Sequence, residues 1–241
     1  MTDLLLVLAA ALWGAAAGAL LPRAAYRFSV QPEEPWRNTC PAGHPVRGWL
    51  GRAHCGTCRE AYGPGGVLLP LATALVCAAL AAATGTRPEL GVWLLLAPVG
   101  VLLSVVDLRV QRLPDALTLP LAAAALALLG VVALLPEHAG EWLTALYGSL
   151  ALGAGYFVLF LINPSGMAFG DVKLALGTGA VLGWYGWSAV MLGTFAGFLL
   201  GAFYAGALVV VGKAGRKTAI AFGPFLLAGA FLGLLVGAYT A

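Results

Sequence analysis

The sequence predicts an all-α polytopic membrane bundle of about eight transmembrane helices, with a small cytoplasmic Cys-containing segment after the first helix. Three observations predict it. Hydrophobic residues make up 61% of the 241 and charged residues only 10%, more apolar surface than a soluble chain of this size can hide in one core. The apolar residues fall in long runs without polar alternation, so they read as helices rather than barrel strands. The charges collect in the connections, nearly all on one side.

The runs lie at 4–21, 67–84, 90–107, 115–135, 142–162, 172–185, 188–211 and 219–239. No basic segment precedes the first, so it is expected to be a retained span rather than a cleaved signal peptide. The run 172–185 is short. Read as one helix with its successor, 172–211 would be about 60 Å long, twice the hydrocarbon thickness of roughly 30 Å. GWYGW at 183–187 supplies a turn with interfacial Trp, so two passes are expected.

Charge placement gives the orientation. Arg23, Arg27, Arg37, Arg47, Arg52, Arg59, Arg109, Arg112, Lys173, Lys213, Arg216 and Lys217 fall on one side of an eight-pass arrangement, and Arg87 alone on the other. Basic residues mark the cytoplasmic side. Both termini are then outside, and segment 22–66 is cytoplasmic. That segment is rich in Pro, Gly and Arg and too poor in large aliphatic residues to build its own core. A metal, or docking onto the membrane bundle, has to order it. The expected organisation is therefore 1–21 first span, 22–66 cytoplasmic segment and 67–241 membrane core. Gly14/Gly18 and Gly197/Gly201 are small-xxx-small pairs, which signal close helix packing rather than chemistry.

Two aspartates lie at the cytoplasmic ends of spans. Asp107 directly follows VGVLLSVV, and Asp171 directly precedes VKLALGTGAVLG. Ionisable groups at membrane depth are costly and usually functional; the alternative is that each marks an interface. Asp171 opens a helix, where free N–H groups favour a carboxylate, whereas Asp107 closes one, where a negative charge is disfavoured. Two carboxylates that face each other share a proton, and one can activate water while the other polarises a carbonyl. Paired acids in spans also move protons or cations, so a transporter or a non-catalytic assembly protein is the competing class. The eight runs show no obvious duplicated half, which disfavours a repeat-built transporter.

VVDLRVQRLPDALTLP (105–120) and GMAFGDVKLALGTGAVLGW (166–184) resemble the two aspartate signatures of the type IV prepilin peptidase family, the membrane aspartic peptidases called leader peptidase/N-methyltransferase. AFGPFLLAG (221–229) resembles the family's last-helix signature, and GALLPRAAYR (18–27) is similar to its first-helix exit. The resemblance implies Asp107 and Asp171 as the catalytic pair of an aspartic endopeptidase that needs no cofactor for cleavage. It implies a type IV prepilin or pseudopilin precursor as partner, cut after Gly behind a basic leader, at the cytoplasmic face of the bacterial plasma membrane. Membrane lipid is the other partner, and no nucleic acid is expected. Gly166 and Gly170 would give backbone room beside Asp171. Lys173 would mark the interface, or else position substrate. Asp115, in an LPD turn shaped by Pro114, is expected to cap the fourth helix.

Bifunctional members of that family also methylate the new N-terminus with S-adenosylmethionine, and they carry two CxxC pairs that resemble a zinc site. Here the pattern is Cys40-Pro-Ala-Gly43-His44 and Cys55-Gly-Thr-Cys58, with Gly43 where the second Cys would stand. Cys40, Cys55 and Cys58 with His44 or His54 could form a Cys₃His zinc site; the alternative is a degenerate loop with free thiols. Cys77, inside a span, reads as a small buried apolar residue. Ala19 and Pro22 stand where the family commonly shows Ser and Asn, which bears on methyl transfer. Ala221 replaces a common Pro.

Overall fold

The computed structural model describes residues 2–31, 33–64, 66–164, 166–212 and 220–241, the side chain of Thr2 excepted. Lys213, Arg216 and Lys217, part of the charge pattern above, lie outside them. The described residues form eight helices: α1 (Thr2–Phe28), α2 (Leu68–Thr84), α3 (Glu89–Val110), α4 (Asp115–Val132), α5 (Trp142–Ile162), α6 (Phe169–Gly183), α7 (Trp187–Val210) and α8 (Gly223–Thr240). They contain two isolated β-bridges and no sheet. Six helices, α1, α3, α4, α5, α7 and α8, are long and apolar enough to cross a membrane. α2 has 17 residues and α6 has 15. α6 and α7 are separate helices, because Gly186 at φ +94° breaks the chain between them in a conformation that side chains with a Cβ rarely adopt.

The chain divides into two compact units. The first is Met1–Thr86 with Leu90–Arg112. Within it α1 and α2 pack tightly: a Cβ on Gly14 would stand 2.5 Å from the Thr73 carbonyl oxygen, and one on Gly18 would stand 2.7 Å from that of Leu69. Only glycine permits that approach, as the small-xxx-small spacing implied. Ala10, Cys77, Ala81 and Leu90 form one hydrophobic cluster of this unit, and Trp13 donates its indole N–H to the Leu94 carbonyl at 2.9 Å. Cys77 is fully buried there.

α1 continues past the apolar run that ends at Leu21, through Pro22 to Phe28. Proline has no N–H to give to the helix, and the neighbouring backbone turns to the following segment instead. The Arg23 N–H donates to the Gly51 carbonyl at 3.0 Å, and the Leu20 carbonyl accepts from the Gly51 N–H at 2.7 Å. Arg23 and Arg27 then reach the carbonyls of Arg47 and Gly48 at 2.8 and 2.7 Å. Arg27 also lies over the Trp49 ring, 3.9 Å from its centroid. Phe28, Trp36 and Trp49 form an aromatic cluster with centroids 4.8–5.2 Å apart. Arg112, just beyond α3, donates to the Gln31 carbonyl at 2.8 Å. The segment after α1 is thus joined to α1 by backbone and arginine hydrogen bonds.

The second unit is Arg87–Glu89 with Leu113–Ala241. α6 is its centre. Ten of its fifteen residues are buried, and it packs on α4, α5, α7 and α8. Its Gly and Ala content allows this. A Cβ on Gly179 would lie 2.4 Å from the Gly148 carbonyl oxygen of α5, and one on Gly183 would lie 2.5 Å from that of Thr144. α7 and α8 meet the same way at Gly193, Gly197 and Gly229. At the opposite end from Asp171, Glu89 is fully buried, and its carboxylate accepts from the Ala139 N–H and the Tyr185 hydroxyl, each at 3.3 Å.

Candidate active-site aspartates and metal-ligand cluster

Asp171 occupies the first turn of α6, which begins at Phe169 rather than at the apolar run's start. The reason is a reciprocal pair of hydrogen bonds: the Ala168 N–H donates to Asp171 Oδ2 at 3.1 Å, and the Asp171 N–H donates to the Ala168 carbonyl at 3.0 Å. The carboxylate satisfies one orphan donor of the helix start, where the dipole also favours it. It is 3% exposed, so this is a carboxylate set inside the unit and not a surface marker.

The two predicted glycines precede it, each in a tightly packed place. A Cβ on Gly170 would meet the Leu113 Cβ at 2.9 Å, and one on Gly166 would meet Asn163 Nδ2 at 2.4 Å. Lys173 is turned to Asp115, its ammonium 2.6 Å from Oδ2, and it rests over the Phe169 ring. Asp115 differs from the expectation. Pro114 holds the N-cap position of α4, and no side chain caps that helix. The Asp115 carboxylate sits in the first turn and pairs with Lys173, because capping geometry needs the acid one residue earlier.

Asp107 belongs to the first unit, in the last turn of α3. It is 4% exposed, beside the fully buried Leu103 and Val106. Its carbonyl accepts from the Gln111 N–H at 2.8 Å, and Gln111 takes φ +51°, a left-handed helix stop.

Cys40, His44, Cys55 and Cys58 come together with all four ligand atoms within 4.8 Å of one another. Cys40 Sγ is 3.5 Å from His44 Nδ1 and 3.9 Å from Cys58 Sγ. A tetrahedral zinc, with Zn–S about 2.3 Å and Zn–N about 2.0 Å, sets S and N ligand atoms roughly 3.5 Å apart and two S atoms roughly 3.8 Å apart, so these two separations fit the ion. Two tight turns present them. The Cys40 N–H donates to the His44 carbonyl at 2.8 Å, with Gly43 at φ +82°; the Cys55 N–H donates to the Glu60 carbonyl at 2.9 Å, with Arg59 at φ +57°. His54, the other candidate, is exposed and outside the cluster. Gly43 therefore serves the turn that brings His44 in as fourth donor. The Cys55 thiol is lowered to about 6, first by the Cys58 backbone N–H and then by that of Thr57. Cys58 is raised: the Glu60 N–H pulls it down, but Cys55, burial and Cys40 outweigh it. A cluster that holds one thiolate readily already has the charge a cation needs.

Sequence reasoning missed Tyr156 on α5. It is 2% exposed, its ring stacks on Phe198 with centroids 5.6 Å apart, and Phe222 lies 6.2 Å away. A Tyr in a span that also holds Tyr147, Phe157 and Phe160 carries no signal of its own.

A family profile described as the type IV leader peptidase family matches residues 94–206, which include both aspartates and exclude the Cys/His cluster. The prepilin leader peptidase/N-methyltransferase of Pseudomonas aeruginosa is 32% identical over 83% of this chain and 71% of its own length. The protein of the same name from Aeromonas hydrophila is 32% identical over 83% and 72%. That of Escherichia coli is 35% identical over 55% and 57%. The chain belongs to the type IV leader peptidase family. No solved structure matches it. Membership in this peptidase family, with six helices fit to span a bilayer, makes the chain a multi-pass membrane protein of an enzyme family. The Asp107 and Asp171 segments named in the sequence both fall inside the matched stretch.

Proposed function

We propose that the protein is an aspartic endopeptidase that cleaves the basic leader of type IV prepilins or pseudopilins after Gly, at the cytoplasmic face of the plasma membrane. The observation that carries this reading is the pair of buried carboxylates, Asp107 and Asp171, inside the stretch matched by a peptidase family. One carboxylate that activates water and one carboxylic acid that polarises the carbonyl are the minimum apparatus for metal-free amide hydrolysis.

In the proposed reaction the ionised aspartate takes a proton from water as the water oxygen bonds to the scissile Gly carbonyl carbon. The protonated aspartate donates to the carbonyl oxygen. The tetrahedral species then breaks its C–N bond: the leaving amine takes a proton from the first aspartate, and one hydroxyl of the tetrahedral carbon returns its proton to the second as the C=O bond re-forms. The products are a leader with a Gly carboxylate and a pilin with a free N-terminal amine. The pilin's hydrophobic segment remains in lipid, which fixes its depth relative to the carboxylates.

Eight passes complete this reading, with α2 and the short α6 counted as spans and both termini outside. Residues 1–21 are then the first span, 22–66 the cytoplasmic segment and 67–241 the peptidase core. The two helical turns of α1 beyond Leu21 carry Arg23 and Arg27 into the cytoplasm. Gly166 and Gly170 keep backbone close to Asp171, and Lys173 marks the interface. Cys40, His44, Cys55 and Cys58 hold zinc, which supplies a structural cross-link between the two turns that present them. The relatives' names support a second step, transfer of the methyl group of S-adenosylmethionine to the new amine; incubation with labelled donor and cleaved pilin tests it, and absence of label removes it.

Replacing Asp107 or Asp171 with Ala and following precursor processing in membranes tests the peptidase. Both variants are expected to leave the precursor uncut, and normal cleavage by either overturns the assignment.

A further inference from the structure

Two contacts set the start of α4 beside the start of α6. A Cβ on Gly170 would stand 2.9 Å from the Leu113 Cβ, and Lys173 donates to Asp115 Oδ2 at 2.6 Å. All four residues belong to the second unit. Asp115 therefore lies beside the helical turn that carries Asp171. The two carboxylates differ in depth: Asp171 is 3% exposed, and the Asp115 side chain 60%. Outward from the buried acid, Asp115 is the next carboxylate toward solvent. Among the described residues of this unit it is also the one exposed acid at that end. Glu89 is fully buried at the other end, and Glu137 and Glu141 lie in the connection between α4 and α5, again away from Asp171. The Asp115 charge is only partly used. Lys173 takes Oδ2, and Oδ1 has no partner among the described residues. An ion pair this open to water is weak, so the carboxylate is available to a second cation.

We infer that Asp115 selects the basic leader: its carboxylate accepts a charge-assisted hydrogen bond from the leader Lys or Arg nearest the scissile Gly. The inference rests on the proposed peptidase reading, with the cut bond at Asp171. The leader is the part of the precursor that runs from that bond into the cytoplasm, and Asp115 lies on the solvent side of Asp171. Contact with the leader is made away from the reacting atoms and is the same before and during the reaction. It therefore acts on KM and leaves kcat alone. It is a contact between charges at an exposed place, so salt screens it, and it discriminates by the sign of the leader charge. Asp115 is a specificity-determining residue that takes no part in the proton transfers.

The test crosses enzyme and precursor variants. Wild type, Asp115→Asn and Asp115→Lys, purified in nonionic detergent, cleave a purified prepilin precursor in three forms. The leader cation nearest the scissile Gly is kept, replaced by Gln, or replaced by Glu. On the natural leader, Asp115→Asn is expected to raise KM about fivefold, the upper end for an exposed ion pair, with kcat within about twofold. On the Gln leader, wild type and Asp115→Asn are expected to have the same KM, because the partner charge is gone. On the Glu leader, Asp115→Lys is expected to have a lower KM than wild type. The fivefold difference is expected to shrink as salt is raised. The Gln leader is also the control for folding, since a damaged enzyme loses rate on every precursor. Should Asp115→Lys fail to fold, wild type and Asp115→Asn on the natural and Gln leaders complete the cycle. An unchanged KM for Asp115→Asn on the natural leader, or the same loss on all precursors, overturns the inference; with Asp171→Ala inactive, the peptidase reading stands. Cleavage by Asp171→Ala overturns both.

Discussion

Cys40 Sγ and His44 Nδ1 stand 3.5 Å apart across a turn of five residues, the separation two ligands of one tetrahedral zinc require. With Cys55 and Cys58 they make a complete donor set, so the protein purified without chelator is expected to contain about one zinc per chain. His44→Ala is expected to lose most of that metal, and His54→Ala to keep it. Elemental analysis of the purified variants decides. A stoichiometry near zero in the wild type, or loss of metal in His54→Ala alone, contradicts the assignment.

Glycine at the α5–α6 seam is expected to be irreplaceable where backbone meets backbone. Gly179→Ala would put a methyl 2.4 Å from the Gly148 carbonyl oxygen. Neither partner can yield without moving a helix, so the loss is expected to reach about 1–3 kcal/mol or more. Gly155, on the same α5, has nothing within 4 Å of a built Cβ, and Gly155→Ala is expected to be neutral or to stabilise by up to about 1 kcal/mol. Thermal unfolding in detergent compares them; equal midpoints would mean the seam can open at little cost.

The Lys173–Asp115 pair is short, but its side chains are 20% and 60% exposed. An ion pair open to solvent gives about 1 kcal/mol or less. A double-mutant cycle with Lys173→Met and Asp115→Asn is expected to show coupling of that size, and precursor cleavage by Lys173→Met is expected to stay within a few-fold of wild type. Loss of cleavage with unchanged thermal stability would instead give Lys173 a part in holding substrate.

The helices were legible because length and apolarity are local properties. The break between α6 and α7 was readable in GWYGW, since a Gly that takes positive φ ends a helix wherever it falls. The Cys₃His set was readable from spacing. The choice of His44 over His54 was not, because both flank a cysteine, and only the fold of the Cys40–His44 turn separates them. Tyr156 was hidden for a different reason. Its burial comes from Phe198 of α7 and Phe222 before α8, and no periodicity within α5 reports which rings will cover it. Glu89 was hidden likewise: next to Arg87 in a short connection it reads as a solvated charge, yet it is fully buried against Tyr185 and Ala139.

The segment after α1 is expected to be latched by arginine rather than by a core of its own. Arg27 donates to the Gly48 carbonyl at 2.7 Å and covers the Trp49 ring at 3.9 Å. Arg23 donates to the Arg47 carbonyl at 2.8 Å, and Gly51, held at φ +124°, exchanges two backbone hydrogen bonds with Leu20 and Arg23 on either side of Pro22. A cation over an indole contributes about 0.5–2 kcal/mol, and a hydrogen bond from a charged donor about 1.5–3 kcal/mol. Arg27→Ala removes both together, while the metal cluster, which lies further along the chain, keeps all four ligands. The expected outcome is faster cleavage by trypsin at Arg47 and Arg52 in Arg27→Ala, with zinc content unchanged. Arg27→Lys should be intermediate, because an ammonium keeps the charge but loses the planar stack on Trp49. Proteolysis at the wild-type rate in Arg27→Ala would mean that the Phe28–Trp36–Trp49 cluster and the Gly51 backbone bonds suffice to hold the segment. Simultaneous loss of zinc would mean that latch and metal cluster fold as one unit.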